Sequence, residues 1–398
     1  MDCPNCGSER VIKRGFRNEI QRFRCKECGR YFTENSVLID PEIVRENIRL
    51  AKKEQNQRDT NRIERKAFRE YARIENAIIE YTNKLIETIK EHSFQIETKT
   101  HVKKDDSICL LVQISDTHFN EIVDIPGNKY NFQIASKRLK KYADMILQYA
   151  KVFKVSEIVL AFTGDLLNSD RRLDEMLSKS TNRAKATFLS ANLLQQFIVD
   201  LNKIANISIA SVTGNESRAN DEMGFTNIVA TDNYDYTIYN ILKIIFKDKK
   251  GIHFIDSESM EVIIRIGSEN ILITHGYDSP KDGIQRFIQQ LMGKYAQKGI
   301  MISYVIMGHL HSCFISDTFS RSASLVGSNT YNEFALNLFS KASQNIYFVK
   351  GKDIDAIKID LQNVEGYEGY EVLDLGDVYN SKSSGKVKKK ETIFEVII

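Results

Sequence analysis

Five short polar motifs, each placed directly after an apolar run, carry most of the residues in this chain that could do chemistry. In chain order they are Asp116-Thr117-His118, Gly164-Asp165, Gly214-Asn215, His275-Gly276 and Gly308-His309-Leu310-His311. Carboxylate, amide and imidazole groups are oxygen and nitrogen ligands that suit Mn²⁺, Fe²⁺ or Zn²⁺. The motifs therefore predict a site for divalent metal ions, provided that the fold brings them together.

The elements that must position these motifs are visible from Ile108 onward. Apolar runs such as ICLLVQIS and EIVLAFT alternate with helix-compatible segments near 133–153 and 183–205. Strands that are apolar on both faces and alternate with helices indicate an α/β domain with a buried sheet. The carboxyl ends of the strands in such a sheet face one crevice. Residues as distant in sequence as Asp116 and His311 are therefore expected to meet.

The ordered motifs resemble those of the calcineurin-like metallophosphoesterases, D-x-H, G-D, G-N-H-D/E, H and G-H-x-H, over about residues 108–315. Their spacing is similar to that of the SbcD-type nucleases of DNA repair. The resemblance implies a sandwich of two β-sheets flanked by helices and a phosphodiesterase that uses a two-metal-activated water. It also implies the ligands: Asp116, His118 and His311 for one ion, Asn215, His275 and His309 for the second, and Asp165 between them.

One position departs from the family pattern. The chain reads Gly214-Asn215-Glu216 where the family has G-N-H, and that histidine contacts the scissile phosphate or protonates the leaving oxygen. A general acid contributes about 10²–10⁴-fold in rate. Three readings stay open: Glu216 donates the proton, Arg218 stabilises the developing charge, or hydrolysis is slow or absent. We expect hydrolysis to be retained, because all seven ligand positions are kept.

Two Cys-x-x-Cys pairs lie at the front of the chain, Cys3 with Cys6 and Cys25 with Cys28, with 18 residues between the pairs. This spacing is typical of a structural Zn²⁺ site, with unrelated or redox-active thiols as the alternative. A unit this small cannot bury enough surface to fold alone, so the metal would supply most of its folding free energy. Residues 1–34 resemble the zinc ribbons of transposase-like and recombination proteins.

The ribbon is basic and contains aromatic residues. Phe16 and Phe23 are interleaved with six cationic side chains: Arg10, Lys13, Arg14, Arg17, Arg22 and Arg24. Such a mixture suits phosphate contacts and base stacking, although a ribbon can also dock a protein. Residues 1–104 carry 23 Lys and Arg against 17 Asp and Glu, whereas the whole chain has a net charge of only +3. A DNA partner, with RNA as the alternative, is expected at this end.

The chain is predicted to have four parts: a zinc ribbon (1–34), a helical arm or linker (35–104), a metallophosphoesterase domain (105–360) and a C-terminal extension (361–398). In the arm, apolar residues recur in steps of three and four from Ile63 to Ile89. This stripe is typical of a coiled coil. It predicts a homodimer through the arm or packing on the catalytic domain, while the polar stretch before it would bridge solvent or contact a polyanion.

Composition limits the remaining function classes. With 42% hydrophobic and 27% charged residues, the chain is not of the disordered class. It has no P-loop pattern and no apolar run long enough for a membrane helix, so we expect a cytoplasmic protein of a bacterium or a phage-infected host cell. The sequence favours a DNA nuclease. The alternatives are a nucleic-acid-binding protein with a weakened phosphoesterase domain and a protein or nucleotide phosphoesterase.

Overall fold

The computed structural model describes residues 1–34, 46–59, 61–62, 65, 96–103, 108–171, 173–219, 228–256, 258–280, 283–330, 333 and 339–372. The chain divides into two compact units, residues 1–92 and 93–398. In the arm, residues 46–59 form a solvent-exposed helix, α1. The apolar stripe from Ile63 to Ile89 and the chain beyond residue 372 lie outside the described residues. The homodimer and the four-part division therefore stay predictions.

The first unit begins with a three-stranded antiparallel sheet made of β1 (Val11–Arg17), β2 (Ile20–Cys25) and β3 (Tyr31–Thr33). The two cysteine turns have the same backbone bond: Gly7 N–H donates to the Cys3 carbonyl, and Gly29 N–H to the Cys25 carbonyl. Four buried side chains form the ribbon core: Cys3, Phe23, Cys25 and Phe32. A core of this size leaves most of the stability to be supplied by a metal.

The second unit contains a six-stranded sheet in the order β16-β15-β4-β7-β8-β9. Its strands are β4 (Cys109–Ile114), β7 (Glu157–Phe162), β8 (Asn206–Ser211), β9 (Ile252–Phe254), β15 (Ser343–Lys350) and β16 (Asp353–Asp360). The first four run parallel, and β15 and β16 add an antiparallel edge. A small hairpin, β5 (Val123–Ile125) with β6 (Asn128–Tyr130), follows β4. The carboxyl ends of β4, β7 and β8 therefore lie side by side.

A second, five-stranded sheet has the order β10-β11-β12-β14-β13. Its strands are β10 (Glu261–Ile266), β11 (Glu269–Thr274), β12 (Tyr304–Met307), β13 (Phe314–Ile315) and β14 (Phe319–Arg321). Strands β11, β12 and β14 are parallel. Apolar side chains of both sheets share one buried cluster, in which Leu111 and Val159 of the first sheet meet Ile271 and Ile306 of the second. The two sheets therefore pack face to face as a sandwich.

Helices cover both outer faces of the sandwich. They are α2 (Phe132–Val152), α3 (Leu173–Leu177), α4 (Arg183–Asn202), α5 (Ile228–Thr231), α6 (Tyr234–Ile245) and α7 (Ile284–Ala296). Helix α4 lies between α2 and α6 and contacts β8, while α7 packs Ile288 and Leu291 on the second sheet. The predicted α/β fold, two β-sheets flanked by helices, is confirmed. Among the described residues, no helix combines the length and apolar composition needed to cross a membrane.

Candidate metal centre

Each of the five motifs directly follows a strand at its carboxyl end. Asp116 and His118 follow β4, Asp165 follows β7, and Asn215 follows β8 in the six-stranded sheet. From the facing sheet, His275 follows β11, and the pair His309 and His311 follows β12. The structure brings these seven side chains together as two adjacent groups at one end of the sandwich.

The first group consists of Asp116, His118 and His311, whose ligand atoms lie within 4.8 Å of one another. The Nε2 atoms of the two histidines are 3.1 Å apart, and His311 Nε2 is 3.4 Å from Asp116 Oδ1. The Asp116 carboxylate also accepts the backbone N–H of His309 at 3.1 Å. Two imidazole nitrogens and a carboxylate that converge in this way fit a divalent transition-metal ion.

The second group consists of Asp165, His275 and His309, again with ligand atoms within 4.8 Å. His275 Nε2 is 3.0 Å from Asp165 Oδ2 and 3.0 Å from Asn215 Oδ1. On the other side of its ring, His275 Nδ1 donates to the Thr163 carbonyl at 2.8 Å. A backbone acceptor at Nδ1 leaves Nε2 to face a metal, which is the usual arrangement for a histidine ligand.

The charges inside the centre shift the pKa values of its members. Burial acts to lower the pKa of His275, but the charge and hydrogen bond of Asp165 outweigh it and raise the pKa to about 10. Burial acts to raise the pKa of Asp165, and the charge of His275 overrides it, so the pKa is lowered. Burial and the charge of His275 lower the pKa of His309 to about 4. A cation would therefore have to displace a proton from His275.

The backbone at the site is strained. Five of the seven candidate ligand residues lie in the left-handed region, with φ of 48° at Asp116, 41° at His118, 54° at Asp165, 73° at His309 and 53° at His311. Residues other than glycine rarely adopt such angles, and each costs on the order of 1–3 kcal/mol when the surrounding structure enforces it. Strain concentrated on the ligand set indicates a functional site.

The glycines of the motifs leave room for the carboxylates. A Cβ atom on Gly214 would lie 2.1 Å from Asp165 Oδ1, and one on Gly308 would lie 2.3 Å from Asp116 Oδ2. Neither position can hold a larger residue without moving a ligand. This explains why a glycine precedes the polar residue at these two strand ends.

Asp235, which belongs to none of the five motifs, holds the backbone beside the second group. It is fully buried in the first turn of α6. Its Oδ2 accepts the backbone N–H groups of Asp165 and Gly214, both at 2.9 Å, and its Oδ1 accepts that of Leu166 at 2.8 Å. Burial and the charge of Asp165 raise the pKa of Asp235 to about 6. One carboxylate thus ties the loop after β7 to the loop after β8.

Glu216 stands beside the second group. Its N–H donates to Asp165 Oδ1 at 2.7 Å, and its carboxylate accepts from Asn215 Nδ2 at 2.8 Å and from Arg171 Nη2 at 3.1 Å. Each of the two carboxylate oxygens already accepts a hydrogen bond, so this geometry does not favour Glu216 as a proton donor. Arg218 is half-buried, and its carbonyl accepts a hydrogen bond from Arg183 at 2.6 Å.

The four front cysteines are also brought together, with all sulfur atoms within 4.8 Å of one another. Cys3 and Cys28 are 3.6 Å apart, as are Cys6 and Cys25. A tetrahedral ion with Zn–S bonds of about 2.3 Å places its sulfurs about 3.8 Å apart, so the cluster fits Zn²⁺. The N–H of Arg30 lowers the pKa of the Cys28 thiol to about 6, which favours the thiolate form that binds metal.

The basic residues of the ribbon divide into two groups. The first group is exposed and consists of Lys13, Arg14 and Arg17 in β1 and Arg10 just before it. Arg10 pairs with Glu27 at 3.0 Å. Arg22 and Arg24 lie over the ring of Tyr31, with 4.8 and 5.6 Å from each guanidinium carbon to the ring centre. Tyr31 follows the second cysteine pair, is 52% exposed and had not been expected at this surface from the sequence.

One expectation for the ribbon was wrong. Phe23 cannot stack on a base, because its side chain is only 6% exposed and its ring stacks on Phe32 in the core. Phe23 alternates with Arg22 and Arg24 along β2, so the pleat directs it to the opposite face. Phe16, the other aromatic residue named, is 72% exposed.

The known proteins that this chain is similar to are distant from it. No protein-family model and no curated protein matches the chain. Vps29 of Entamoeba histolytica, complexed with Zn²⁺, is 13% identical with a TM-score of 0.29, covering 63% of this chain and 99% of that one. An uncharacterized Streptococcus pneumoniae protein, described as a predicted phosphoesterase, is 14% identical with a TM-score of 0.29 and coverages of 66% and 94%. A 5'-nucleotidase of Candida albicans is 11% identical with a TM-score of 0.31 and coverages of 66% and 53%. Similarity at such TM-scores does not indicate the function of this chain.

Proposed function

We propose that the second unit is a two-metal metallophosphoesterase that hydrolyses phosphodiester bonds in DNA. The observation that carries this proposal is the convergence of seven oxygen and nitrogen ligands from five strand ends into two adjacent groups. Five left-handed ligand residues and a buried positioning carboxylate support it.

Two divalent cations held there would polarise the phosphate and lower the pKa of the attacking water towards neutrality. Mn²⁺ is the metal proposed, with Fe²⁺ or Zn²⁺ as alternatives. The chain's own residues prepare the place for them. Thr163 orients the ring of His275, and Asp235 fixes the backbone on both sides of Asp165. The His309 N–H orients the Asp116 carboxylate. The Asp165 carboxylate lies 3.0 Å from His275 Nε2 at one oxygen and accepts the Glu216 N–H at the other. In the proposal it would be the residue that both cations share, as the resemblance implies.

DNA is proposed as the substrate because the first unit carries a cationic surface. The arginine pair over Tyr31 and the exposed cations of β1 give the ribbon a cationic surface that suits phosphates and an exposed base. RNA offers the same phosphate chemistry and is therefore included as a substrate in the test. The cytoplasmic location stays a prediction.

The experiment is a cleavage assay on the purified full chain with labelled single- and double-stranded DNA and RNA, in Mn²⁺ and in EDTA. We expect Mn²⁺-dependent cleavage of DNA. Asp165→Asn should lose at least about 10³-fold in rate, because each ion contributes several kcal/mol of transition-state stabilisation. The matched control is Asp256→Asn, an 86% exposed carboxylate paired with Lys243. Equal rates for the two variants would contradict the proposal.

A second candidate is a nucleic-acid-binding protein whose phosphoesterase domain is silent, which is favoured by Glu216 in place of the family histidine. It predicts Mn²⁺ binding and DNA binding without cleavage in the same assay. Rapid turnover of a free nucleotide or a phosphoprotein, with DNA left intact, would instead assign the site to a nucleotide or protein phosphoesterase, since the metal site alone fits those reactions as well.

A further inference from the structure

Arg171 lies at the rim of the second ligand group, six residues after Asp165 and outside every motif. Its Nη2 donates to the Asn215 carbonyl at 3.2 Å and to Glu216 Oε2 at 3.1 Å. The side chains of Arg171 and Glu216 are 16% and 23% exposed. A half-buried guanidinium is thus held directly beside a proposed metal ligand.

We propose that Arg171 binds the scissile phosphate in the role that the missing imidazole would have, and that Glu216 is a positioning residue that holds Arg171 there. This inference rests on the proposed phosphoesterase function. A guanidinium has five N–H donors in a planar fork. Only Nη2 of Arg171 has a partner among the residues that the structure describes, so another edge remains for a bidentate contact with phosphate oxygens.

The surroundings of Arg171 hold it beside Asn215 and Glu216. Its backbone N–H donates to Glu175 Oε2 at 3.2 Å, which fixes the start of the loop. The adjacent carboxylate, Asp170, is already paired with Arg183 at 2.6 Å and with Lys179 at 3.4 Å. Among the side chains that the structure describes, Glu216 is therefore the acid paired with Arg171, and its own N–H bond to Asp165 ties that pair to the second group.

Charge stabilisation and proton supply fall to different groups in this proposal. In hydrolysis the water oxygen bonds to phosphorus, the bond from phosphorus to the leaving oxygen breaks with its electron pair, and the proton lost by the water is balanced by one gained at the leaving oxygen. Arginine stays protonated, so Arg171 stabilises charge on the phosphoryl oxygens and does not supply that proton. Solvent supplies it, and the rate should therefore depend strongly on how good the leaving group is.

The first test is a double-mutant cycle on the Mn²⁺-loaded full chain with a nitrophenyl phosphodiester. Arg171→Ala should lower kcat by about 10²–10³-fold, as removal of one preorganised charge-stabilising donor does. The kcat of Arg171→Lys should lie between those of the wild type and Arg171→Ala. Glu216→Ala should cost activity in the wild-type background and almost nothing more in the Arg171→Ala background, because coupled residues are non-additive. An equal loss in both backgrounds would show that Glu216 acts on the substrate itself and would overturn the proposal.

The second test does not depend on turnover. Inorganic phosphate is titrated into Mn²⁺-loaded protein by calorimetry, with Mn²⁺ content and thermal melting recorded for each variant. Arg171→Ala should weaken phosphate binding at least about tenfold at unchanged Mn²⁺ content. The control is Arg265→Ala, which changes an arginine of β10 that pairs with Asn270, at the end of β11 far from His275. Phosphate affinity equal to wild type in Arg171→Ala overturns the inference even if DNA is cut. Arg171-dependent binding without cleavage of any diester supports it and overturns the proposed function.

Discussion

The ribbon and the sandwich bring metal-binding groups together in opposite ways. In the ribbon, four thiols come from two turns of the same local design, and the core they share consists of four buried side chains. In the sandwich, seven candidate ligands come from five strand ends between Asp116 and His311, and two packed sheets place them. The metal should therefore create the fold of the ribbon, whereas the fold of the sandwich creates its metal site.

Removal of zinc gives the largest expected effect and tests this contrast directly. Structural Zn²⁺ contributes about 10–16 kcal/mol in small zinc modules, so Cys25→Ser or a strong chelator should unfold β1–β3. The sandwich should stay folded, because an apolar cluster of strand residues packs its two sheets together. Residue-resolved amide hydrogen exchange measures both units at once. Cys313→Ser, which alters a half-buried thiol in the other unit, is the control. Persistent protection of β1–β3 without zinc would refute the contrast.

A smaller effect is expected from Asp235→Asn, which leaves the ligands in place but changes their support. The amide would turn its NH₂ towards the Leu166 N–H or towards the other two donors. One or more buried N–H groups would then be unsatisfied, at a cost of about 1–3 kcal/mol in the free energy of unfolding. Changes in the groups that support ligands typically weaken metal binding about 10–100-fold. Denaturant unfolding and Mn²⁺ calorimetry measure the two effects.

If Asp235 only stabilises the helix start, the free energy of unfolding should fall in this variant with no change in Mn²⁺ affinity. That outcome would remove Asp235 from the metal centre. Asp256→Asn serves again as the matched control, since the same chemical change is made at an exposed carboxylate.

The arrangement of polar residues at strand ends could be predicted from the sequence, because each motif and its apolar run are contiguous. Arg171 and Asp235 were not readable, since neither belongs to a motif and their roles depend on contacts made across loops. The strain at the ligands was equally hidden, because five left-handed residues are enforced by tertiary packing. The burial of Phe23 did have a signal: the alternation Arg22-Phe23-Arg24 is a strand pattern that separates the ring from the arginines.

The next effect in size is a pH dependence of metal binding to the sandwich. In the ion-free chain the pKa of His275 is raised to about 10, so near pH 7 its ring holds a proton that a cation must displace. Metal binding at the second group should release close to one proton, and affinity should rise about tenfold per pH unit from pH 6 to 9. Calorimetry in two buffers of different ionisation enthalpy counts the protons. Heats that are independent of the buffer would contradict the assignment of His275.

The smallest effect is expected at the ribbon surface, where each contact with DNA is solvent-exposed. Replacing both Arg22 and Arg24 by alanine should weaken DNA binding several-fold, and each lost phosphate contact should reduce the salt slope by about 0.9 on duplex DNA. The cleavage rate at saturating DNA should not change, because the Asp and His residues of the candidate cleavage site belong to the other unit. Fluorescence anisotropy across a salt series measures the slope. An unchanged slope would move the DNA contact away from this face.

The most direct test of the account is anomalous scattering from crystals of the full chain grown with Mn²⁺. The account predicts two peaks about 3.5–4 Å apart, one among Asp116, His118 and His311 and one among Asn215, His275 and His309, with Asp165 between them. It also predicts a zinc peak among the four front cysteines. A pocket without manganese, or one in which these side chains point away from one another, would contradict it.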